Sequence, residues 1–299
     1  MKGLTDDELE KFRKAGKIAS EAREYGKSLI KIGASLLEVC DLVEKKIKDL
    51  GGEMAFPVQI SRNQIAAHYC PTKNDRVVFQ KGDIVKIDVG VHVDGYVGDT
   101  AATVNLAGEK YDKLVRASRE ALDNAIKAAK PGITTGEMGK IIGETIEKHG
   151  FKPIRNLSGH GVGKFIIHGP PSIPNYDNGT ETKLIEGEVI AIEPFATDGA
   201  GKVEEETNAE VFMLVDRKPV RNLFVKEVLK EIDRYDGLPF TTRWLTKKIS
   251  EAKVSYAINE LQKMEMIQSF PPLPDMDKGM VSQAEHTIIV GDKAEILTR

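Results

Sequence analysis

A weak internal repeat constrains the fold of this chain more than any other feature, because a repeated segment predicts two halves with the same local structure. Residues 31–51 (KIGASLLEVCDLVEKKIKDLG) align without gaps on residues 130–150 (KPGITTGEMGKIIGETIEKHG), and five of the 21 positions are identical. Glu38 matches Glu137, and both stretches finish on a glycine, the residue that commonly ends a helix. Taken alone, this match also suits two unrelated but similar helices.

A second match in the same order strengthens the repeat. Residues 81–88 (KGDIVKID) align on residues 186–193 (EGEVIAIE), which pairs Asp88 with Glu193. Two consecutive matches predict a pseudo-two-fold α+β domain. In that domain each half supplies a carboxylate at the same place in its strand.

The stretch from residue 86 to 103 (KIDVGVHVDGYVGDTAAT) is predicted to be a β-hairpin. Its flanks alternate in apolar residues, and Asp94-Gly95 favours a tight type I′ turn. That turn places Asp99 diagonally across from Asp88 on the same face, about 7–8 Å away. A lone Asp is commonly a strand-end or turn residue. Two inward carboxylates in an apolar hairpin, however, each need a cation or a proton, so a shared metal site is within reach.

Helix starts are marked by capping sequences. Residues 5–8 (TDDE) form a capping box and predict a helix over residues 6–30. Residues 35–38 (SLLE) form a second box, whose helix is expected to end at Gly51. A further helix is expected from about residue 111 to 130.

The composition excludes several classes of protein. The chain has 299 residues, of which 40% are hydrophobic and 30% charged, and its net charge is -3. That charge gives no general reason to expect nucleic acid or an anionic membrane as partner. The opening residues lack the apolar core of a secretory signal, and no run of about 18 apolar residues is present. Cys40 and Cys70 lack metal-site spacing and are expected to be free thiols. We therefore expect a cytoplasmic protein.

The character of the chain changes between residues 216 and 275, where three helical patterns carry Lys and Glu on their outer faces. This segment resembles small winged-helix modules only loosely, so a structural or pocket-shaping role is favoured over nucleic-acid binding. The expected division is a main domain of residues 1–215 and 276–299, with halves of about 1–110 and 111–215, and an inserted helical subdomain of residues 216–275.

Three of the six histidines have features that could carry chemistry. His160 lies in residues 158–163 (SGHGVG), which lack both the Gly-Lys-Ser/Thr of a phosphate loop and the strand–helix context of a dinucleotide fingerprint. A histidine on such a loop suits a ligand or an acid/base group. His68 and His168 follow apolar residues, and each fits a core histidine as well as a functional one. Structural explanations are available for His92, His149 and His286.

The candidate residues for a metal site combine four carboxylates with one imidazole. They are Asp88, Asp99, His160, Glu193 and Glu285, the last inside a strand predicted over residues 280–290. Four converging negative charges repel one another unless cations offset them, and two divalent metals would do so. The oxygen-rich set suits Mn²⁺, Fe²⁺ or Co²⁺ better than a closed tetrahedral zinc site.

At these residues the chain resembles the type II methionine aminopeptidases of archaeal kind, metallopeptidases with the pita-bread fold. The resemblance covers essentially all 299 residues, including the place where type II members carry an insertion. The motifs that carry it are AAHY at His68, KIDVG at Asp88, GDTAAT at Asp99, SGHGVG at His160, IHGPP at His168, AIEPF at Glu193 and QAEHT at Glu285. The resemblance implies a pseudo-two-fold fold whose curved antiparallel sheet is covered by helices.

The resemblance also implies roles for these residues. The five metal-site candidates are expected to ligate two divalent ions (Co²⁺, Mn²⁺ or Fe²⁺, with Zn²⁺ as an alternative). His68 and His168 are expected to contact substrate and the tetrahedral intermediate, and Glu193 to handle the proton. The methionine pocket maps onto Phe56, Ile167, Phe270 and Leu273. At Phe270 some relatives carry tyrosine, so the resemblance does not fix which residue forms the edge of the pocket.

The implied activity is removal of the initiator methionine from nascent proteins and peptides with a small second residue, by a hydroxide that two metals activate. Peptides with N-terminal methionine and nascent chains are the expected partners, with the ribosome as a candidate for the helical insert. Neither nucleic acid nor membrane is expected as a partner, and the protein is expected to be a monomer.

Two other readings remain open on the sequence. Prolidases and aminopeptidases P share this fold, but they carry an extra N-terminal domain, whereas here the repeat begins almost at residue 1. A non-catalytic binding protein of the same fold would have lost metal ligands, and all five candidates are present here.

Overall fold

The computed structural model describes residues 4–299 and combines helices with antiparallel sheets in an α+β arrangement. The predicted capping box opens the first helix, where Thr5 and Glu8 bond to each other's backbone N–H. At the second helix Ser35 Oγ accepts the Glu38 N–H at 3.3 Å, and no return bond accompanies it within residues 4–299, so only half of the predicted box forms. The elements of the first half are α1 (Asp6–Leu29), α2 (Leu36–Asp49), β1 (Glu53–Met54), β2 (Gln59–Arg62), β3 (Ile84–Val93) and β4 (Tyr96–Asn105).

Strands β3 and β4 form the predicted hairpin. Asp94 and Gly95 have φ angles of 51° and 89°, the positive values that a type I′ turn requires. The register pairs Asp88 with Ala101. Asp99 therefore lies diagonally across from Asp88, as the turn chemistry predicts.

The second half repeats the order of the first. Helices α2 and α4 each contain 14 residues, and each is followed by a two-residue strand and then a longer strand. This common order is what the sequence repeat predicts. A 3₁₀ turn (Gly108–Tyr111) leads into the elements of this half, which are α3 (Asp112–Ala128), α4 (Thr135–Lys148), β5 (Lys152–Pro153), β6 (Ser158–Gly163), β7 (Ile166–Pro174), β8 (Val189–Ile192) and β9 (Phe195–Thr197).

The inserted segment contains the three expected helices, although the middle one is a single turn of four residues. The segment also contains two short strands, and both pair with β10, which precedes the predicted boundary at residue 216. Its own core includes Phe212 and Trp244. The elements here are β10 (Val211–Leu214), α5 (Leu223–Ile232), a 3₁₀ turn (Asp233–Tyr235), β11 (Phe240–Thr241), α6 (Thr242–Leu245), α7 (Glu251–Lys263) and β12 (Ile267–Phe270).

The chain after the insert departs from the prediction. The single strand expected over residues 280–290 is wrong, because the structure forms β13 (Val281–Gln283) and β14 (His286–Ile289) with a break at Glu285. The two pieces pair with different partners, β13 with β9 and β14 with β8. A change of partner requires the backbone to leave one ladder before it enters the next. The last strand is β15 (Glu295–Ile296).

Each half packs its helices on its own sheet. α1 and α2 cover β2 and β3 of a four-stranded sheet, while α3 and α4 cover β8 and β14 of a five-stranded sheet ordered β15-β14-β8-β6-β7. Cys40 and Cys70 are buried free thiols, as predicted. No helix within residues 4–299 has both the length and the apolar character needed to cross a membrane.

Candidate active site and metal centre

A cleft with a volume of 330 Å³ lies beside the β3–β4 hairpin, at the edge of the five-stranded sheet and the exit of the insert. All the site residues predicted from the sequence line this cleft. They are Phe56, His68, Asp88, Asp99, His160, Ile167, His168, Glu193, Phe270, Leu273 and Glu285. The fold therefore brings together residues that are dispersed along most of the chain.

The two glutamates occupy equivalent breaks between strands. Glu193 lies between β8 and β9, and Glu285 lies between β13 and β14. Because β8 pairs with β14 and β9 pairs with β13, both breaks occur where the chain passes from the five-stranded sheet to a three-stranded one. The freed backbone turns both carboxylates into the cleft, where they meet Asp88 and Asp99 of the hairpin.

His160 completes this cluster from β6. Its Nε2 atom is 3.8 Å from Asp99 Oδ2 and 3.6 Å from Glu193 Oε1. One possible ligand atom from each of Asp99, His160 and Glu285 lies within 4.8 Å of the other two. This spacing allows one cation to contact several of these groups at once.

Several carboxylate oxygens of the cluster have no hydrogen-bond partner. Asp88 Oδ1, Asp99 Oδ1 and Glu285 Oε2 are buried and have none among residues 4–299. Buried oxygens in a folded protein are normally paired, so these three are suited to a ligand that accepts lone pairs. Carboxylate oxygens together with one imidazole nitrogen form a ligand set that binds divalent transition metals. The residues therefore fit a divalent cation.

The carboxyl groups of the cluster also have raised pKa values. Burial raises the pKa of Asp88 to about 7. Burial, followed by repulsion from Asp88, raises the pKa of Asp99 well above its ordinary value. Burial, followed by repulsion from Asp88, raises the pKa of Glu193, and burial, followed by repulsion from Asp99, raises that of Glu285. A bound cation would remove this electrostatic cost, which favours cation binding.

Three neutral histidines line the cleft. Burial, followed by the charge of His168, lowers the pKa of His160 to about 3 and that of His68 to about 4. Burial also lowers the pKa of His168. The rings of His160 and His168 meet edge to face, with centroids 4.7 Å apart. At neutral pH these imidazoles are uncharged, so each has one nitrogen lone pair available to a metal or a substrate N–H.

The backbone of His68 is held in an unusual conformation. Its φ angle is 69°, and its N–H donates to Gln59 Oε1 at 2.9 Å. The ring Nδ1 lies 3.2 Å from the carbonyl oxygen of Pro271. A carbonyl oxygen can only accept, so Nδ1 carries the proton and Nε2 is left as an acceptor.

One side of the cleft is apolar. Phe270 packs its ring against His68 and His168, with centroids 5.7 Å and 6.0 Å away. Phe56 stacks over Gly90, where an added Cβ atom would lie 2.1 Å from the phenyl ring. Glycine at position 90 thus allows the ring to approach the strand. The pocket formed in this way suits an apolar ligand group.

Sequence reasoning missed one residue that contacts the carboxylate cluster and several that line the cleft. Gln283 is buried, and its Nε2 donates to Glu193 Oε2 at 3.4 Å. The one sequence signal for it was its place in the QAEHT motif, two residues before Glu285. The lining residues without a signal include Gln59, Asn156, Glu205, Val211 and Pro239.

The match to known proteins covers nearly the whole chain. Residues 10–213 match the model of metallopeptidase family M24. A methionine aminopeptidase from Thermococcus onnurineus is 47% identical over 294 residues, covering 98% of this chain and 99% of that protein.

Solved structures show the same similarity in three dimensions. A methionine aminopeptidase from Thermotoga maritima superposes with a TM-score of 0.74 at 30% identity, covering 100% of this chain and 99% of that one. A prolidase from Pyrococcus furiosus superposes with a TM-score of 0.62 at 25% identity, covering 99% of this chain but 65% of that one.

Proposed function

This chain belongs to metallopeptidase family M24, and from that premise we propose that it removes the initiator methionine from nascent proteins and peptides whose second residue is small. It is an aminopeptidase that releases N-terminal methionine, a hydrolase of a family that binds divalent metal. It has the pita-bread α+β fold predicted from the motifs. The observation that carries the proposal is the convergence of four carboxylates and His160 beside an apolar pocket.

The proposed cofactor is a pair of divalent ions. Asp88, Asp99, His160, Glu193 and Glu285 would hold them, and the unpaired buried oxygens of this cluster support the assignment. The donor set suits Co²⁺, Mn²⁺ or Fe²⁺, with Zn²⁺ as an alternative. When bound, such a pair supplies a hydroxide nucleophile at neutral pH and polarises the scissile carbonyl.

The remaining chemistry is proposed for three side chains. Glu193 takes up the proton of the attacking water and passes it to the departing amine. His68 accepts the substrate amide N–H at Nε2, because its Nδ1 is committed to Pro271. His168 donates a ring N–H to the oxyanion of the tetrahedral species.

The apolar side of the cleft is proposed to select methionine. Phe56, Ile167, Phe270 and Leu273 would enclose its side chain, and the aromatic rings suit its sulfur atom. The second residue of the substrate would meet the rest of the same cleft. We propose that a bulky second residue is rejected by steric clash.

The cellular setting is also part of the proposal. The enzyme would act as a monomer in the cytoplasm on nascent chains, with neither nucleic acid nor membrane as a partner. The insert would be the part that contacts the ribosome.

Peptide hydrolysis tests the proposed specificity. Metal-loaded protein is expected to release methionine from Met-Ala-Ser, to release much less from Met-Leu-Ser, and to leave Ala-Pro-Ser intact. Protein treated with a chelator should release nothing until a divalent ion is returned. Release of the residue before proline, without release of methionine, would reassign the chain to a prolidase-like activity. Absence of hydrolysis of all three peptides in every metal state would favour a binding protein.

A further inference from the structure

The inserted segment supplies one wall of the proposed methionine pocket. Phe270, the last residue of β12, packs against His68 and His168, and the carbonyl oxygen of Pro271 accepts a hydrogen bond from His68 Nδ1. Both residues belong to the exit of the insert rather than to the metal cluster. The position of the insert relative to the main domain therefore determines the shape of the pocket.

Paired strands connect this wall to the N-terminus of α6. Val211 of β10 pairs with Phe270 on one side and with Thr241 of β11 on the other. Thr241 is the N-cap of α6, and its hydroxyl accepts the backbone N–H of Arg243. Three paired strands thus connect Phe270 rigidly to Arg243.

Arg243 makes a buried ion pair with the main domain. Its guanidinium donates to both oxygens of Glu44 on α2, at 2.6 Å and 3.0 Å, and also to Asp41. Trp244 Nε1 donates to Glu44 Oε2 at 2.9 Å. Arg243 is 3% exposed and Glu44 is 4% exposed. A forked, enclosed pair of this kind allows one relative position of its two elements, because a small displacement would leave a buried charge unpaired.

We propose that Arg243 and Glu44 are positioning residues for substrate selection, which hold the insert so that Phe270 closes the methionine pocket. This inference rests on the proposed function, since it takes the wall at Phe270 to contact the methionine side chain. Neither residue lines the cleft, so both act through the β11–β10–β12 sheet. Loss of the pair would let the wall move while leaving the metal cluster in place.

The variant Glu44→Gln tests this role because it keeps the shape of the side chain and removes its charge. For Met-Ala-Ser we expect KM to rise about tenfold, since a displacement of about 1 Å is costly for substrate binding. The preference for Met-Ala-Ser over Leu-Ala-Ser, measured as the ratio of kcat/KM values, should fall. Metal content, measured by elemental analysis, should stay at the wild-type level. A merely destabilised enzyme would instead lose kcat equally on both peptides, with KM and the ratio unchanged, and that result would overturn the proposal.

Two further measurements keep the test decisive. Trp244 is the only tryptophan of the chain, so its fluorescence emission reports on the contact between the insert and α2 independently of activity. This emission should shift to longer wavelength in Glu44→Gln. If Glu44→Gln fails to fold, Asp41→Asn removes only the partly exposed partner of Arg243 and should give a smaller change in the same direction. Lys45→Gln, on the same helix but paired with the exposed Asp49, is the matched control and should leave KM, the peptide ratio, metal content and Trp244 emission unchanged.

Failure of the proposed function is distinguishable from failure of this inference. The first would appear in the wild-type enzyme as absence of methionine release. The second would appear as a wild-type KM and peptide ratio in both Glu44→Gln and Asp41→Asn.

Discussion

Thr287 and Asp99 exchange two hydrogen bonds across the boundary between the two sheets. The Asp99 N–H donates to Thr287 Oγ1 at 2.8 Å, and that hydroxyl donates to the Asp99 carbonyl oxygen at 2.8 Å. Thr287 is fully buried in β14, two residues after Glu285. One hydroxyl therefore aligns the backbones that present two of the proposed metal ligands.

Thr287→Val is expected to weaken both folding and metal binding. The substitution keeps the shape but leaves the Asp99 N–H and carbonyl without partners, at about 1–3 kcal/mol for each buried group. Loss of support around a ligand typically lowers metal affinity about 10–100-fold. Urea unfolding of the chelated protein and metal titration by calorimetry measure the two effects. Thr287→Ser, which retains the hydroxyl, should stay close to wild type in both. Unchanged metal affinity in Thr287→Val would refute the link.

Asp99→Ala is expected to lose metal and activity while the fold is retained. Substitution of a residue that only supports a metal ligand typically lowers metal affinity or activity about 10–100-fold. Loss of a proposed ligand itself should therefore lower methionine release more than about 100-fold. Metal analysis, peptide hydrolysis and circular dichroism measure the three properties. The control is Asp94→Asn in the turn of the same hairpin, because asparagine also tolerates the positive φ there. Wild-type turnover in Asp99→Ala would show that Asp99 is not a ligand.

Gly90→Ala should damage the methionine pocket without touching the metal cluster. The new Cβ atom would lie 2.1 Å from the Phe56 ring, so the ring must move, at an overpacking cost of about 1–3 kcal/mol. We expect a higher KM for Met-Ala-Ser with unchanged metal content. Gly291→Ala, whose nearest neighbour would lie at 3.5 Å, provides the control for stability. A KM equal to that of wild type would remove Phe56 from the pocket wall.

Glu295→Gln tests the contact between the first helix and the last strand through its dependence on pH. Arg13 donates to both oxygens of Glu295, at 2.7 Å and 2.9 Å, and this lowers the pKa of that carboxyl below its ordinary 4.5. A lowered pKa in the folded state gives stability that is present above 4.5 and lost as the pH falls through the folded value.

At pH 7 we expect Glu295→Gln to lower the melting temperature only slightly, because the ion pair is partly exposed. This decrease should be smaller in high salt, which screens the pair. Below pH 4.5 the wild-type and variant melting temperatures should converge. A difference that persists undiminished into this acidic range would mean that packing, rather than charge, makes the contact.

Local signals in the sequence predicted much of this fold. The capping box at residues 5–8 predicts α1, and Asp94-Gly95 sets the register of the hairpin, because each depends on groups only a few residues apart. The repeat adds the order of elements in the second half. The metal-site candidates came from carboxylates in apolar strands and from a resemblance to known motifs.

Other features were set by contacts that no local pattern carries. The expected single strand over residues 280–290 divides at Glu285, because β13 and β14 pair with different strands. The two strands of the insert, β11 and β12, both pair with β10, which lies before the predicted boundary at residue 216. Gln283, at the end of β13 before this division, reaches Glu193 through its side-chain amide.

The sequence by itself thus determined the helices, the hairpin and the chemical identity of the candidate residues, since short-range hydrogen bonding and apolar spacing are written in neighbouring positions. Only the tertiary structure decided that Asp99, His160 and Glu285 meet within 4.8 Å, and that Glu44 of α2 pairs with Arg243 of the insert. These contacts are made between residues that are far apart in the chain. Their geometry depends on how whole sheets and helices pack, which is a property of the complete fold.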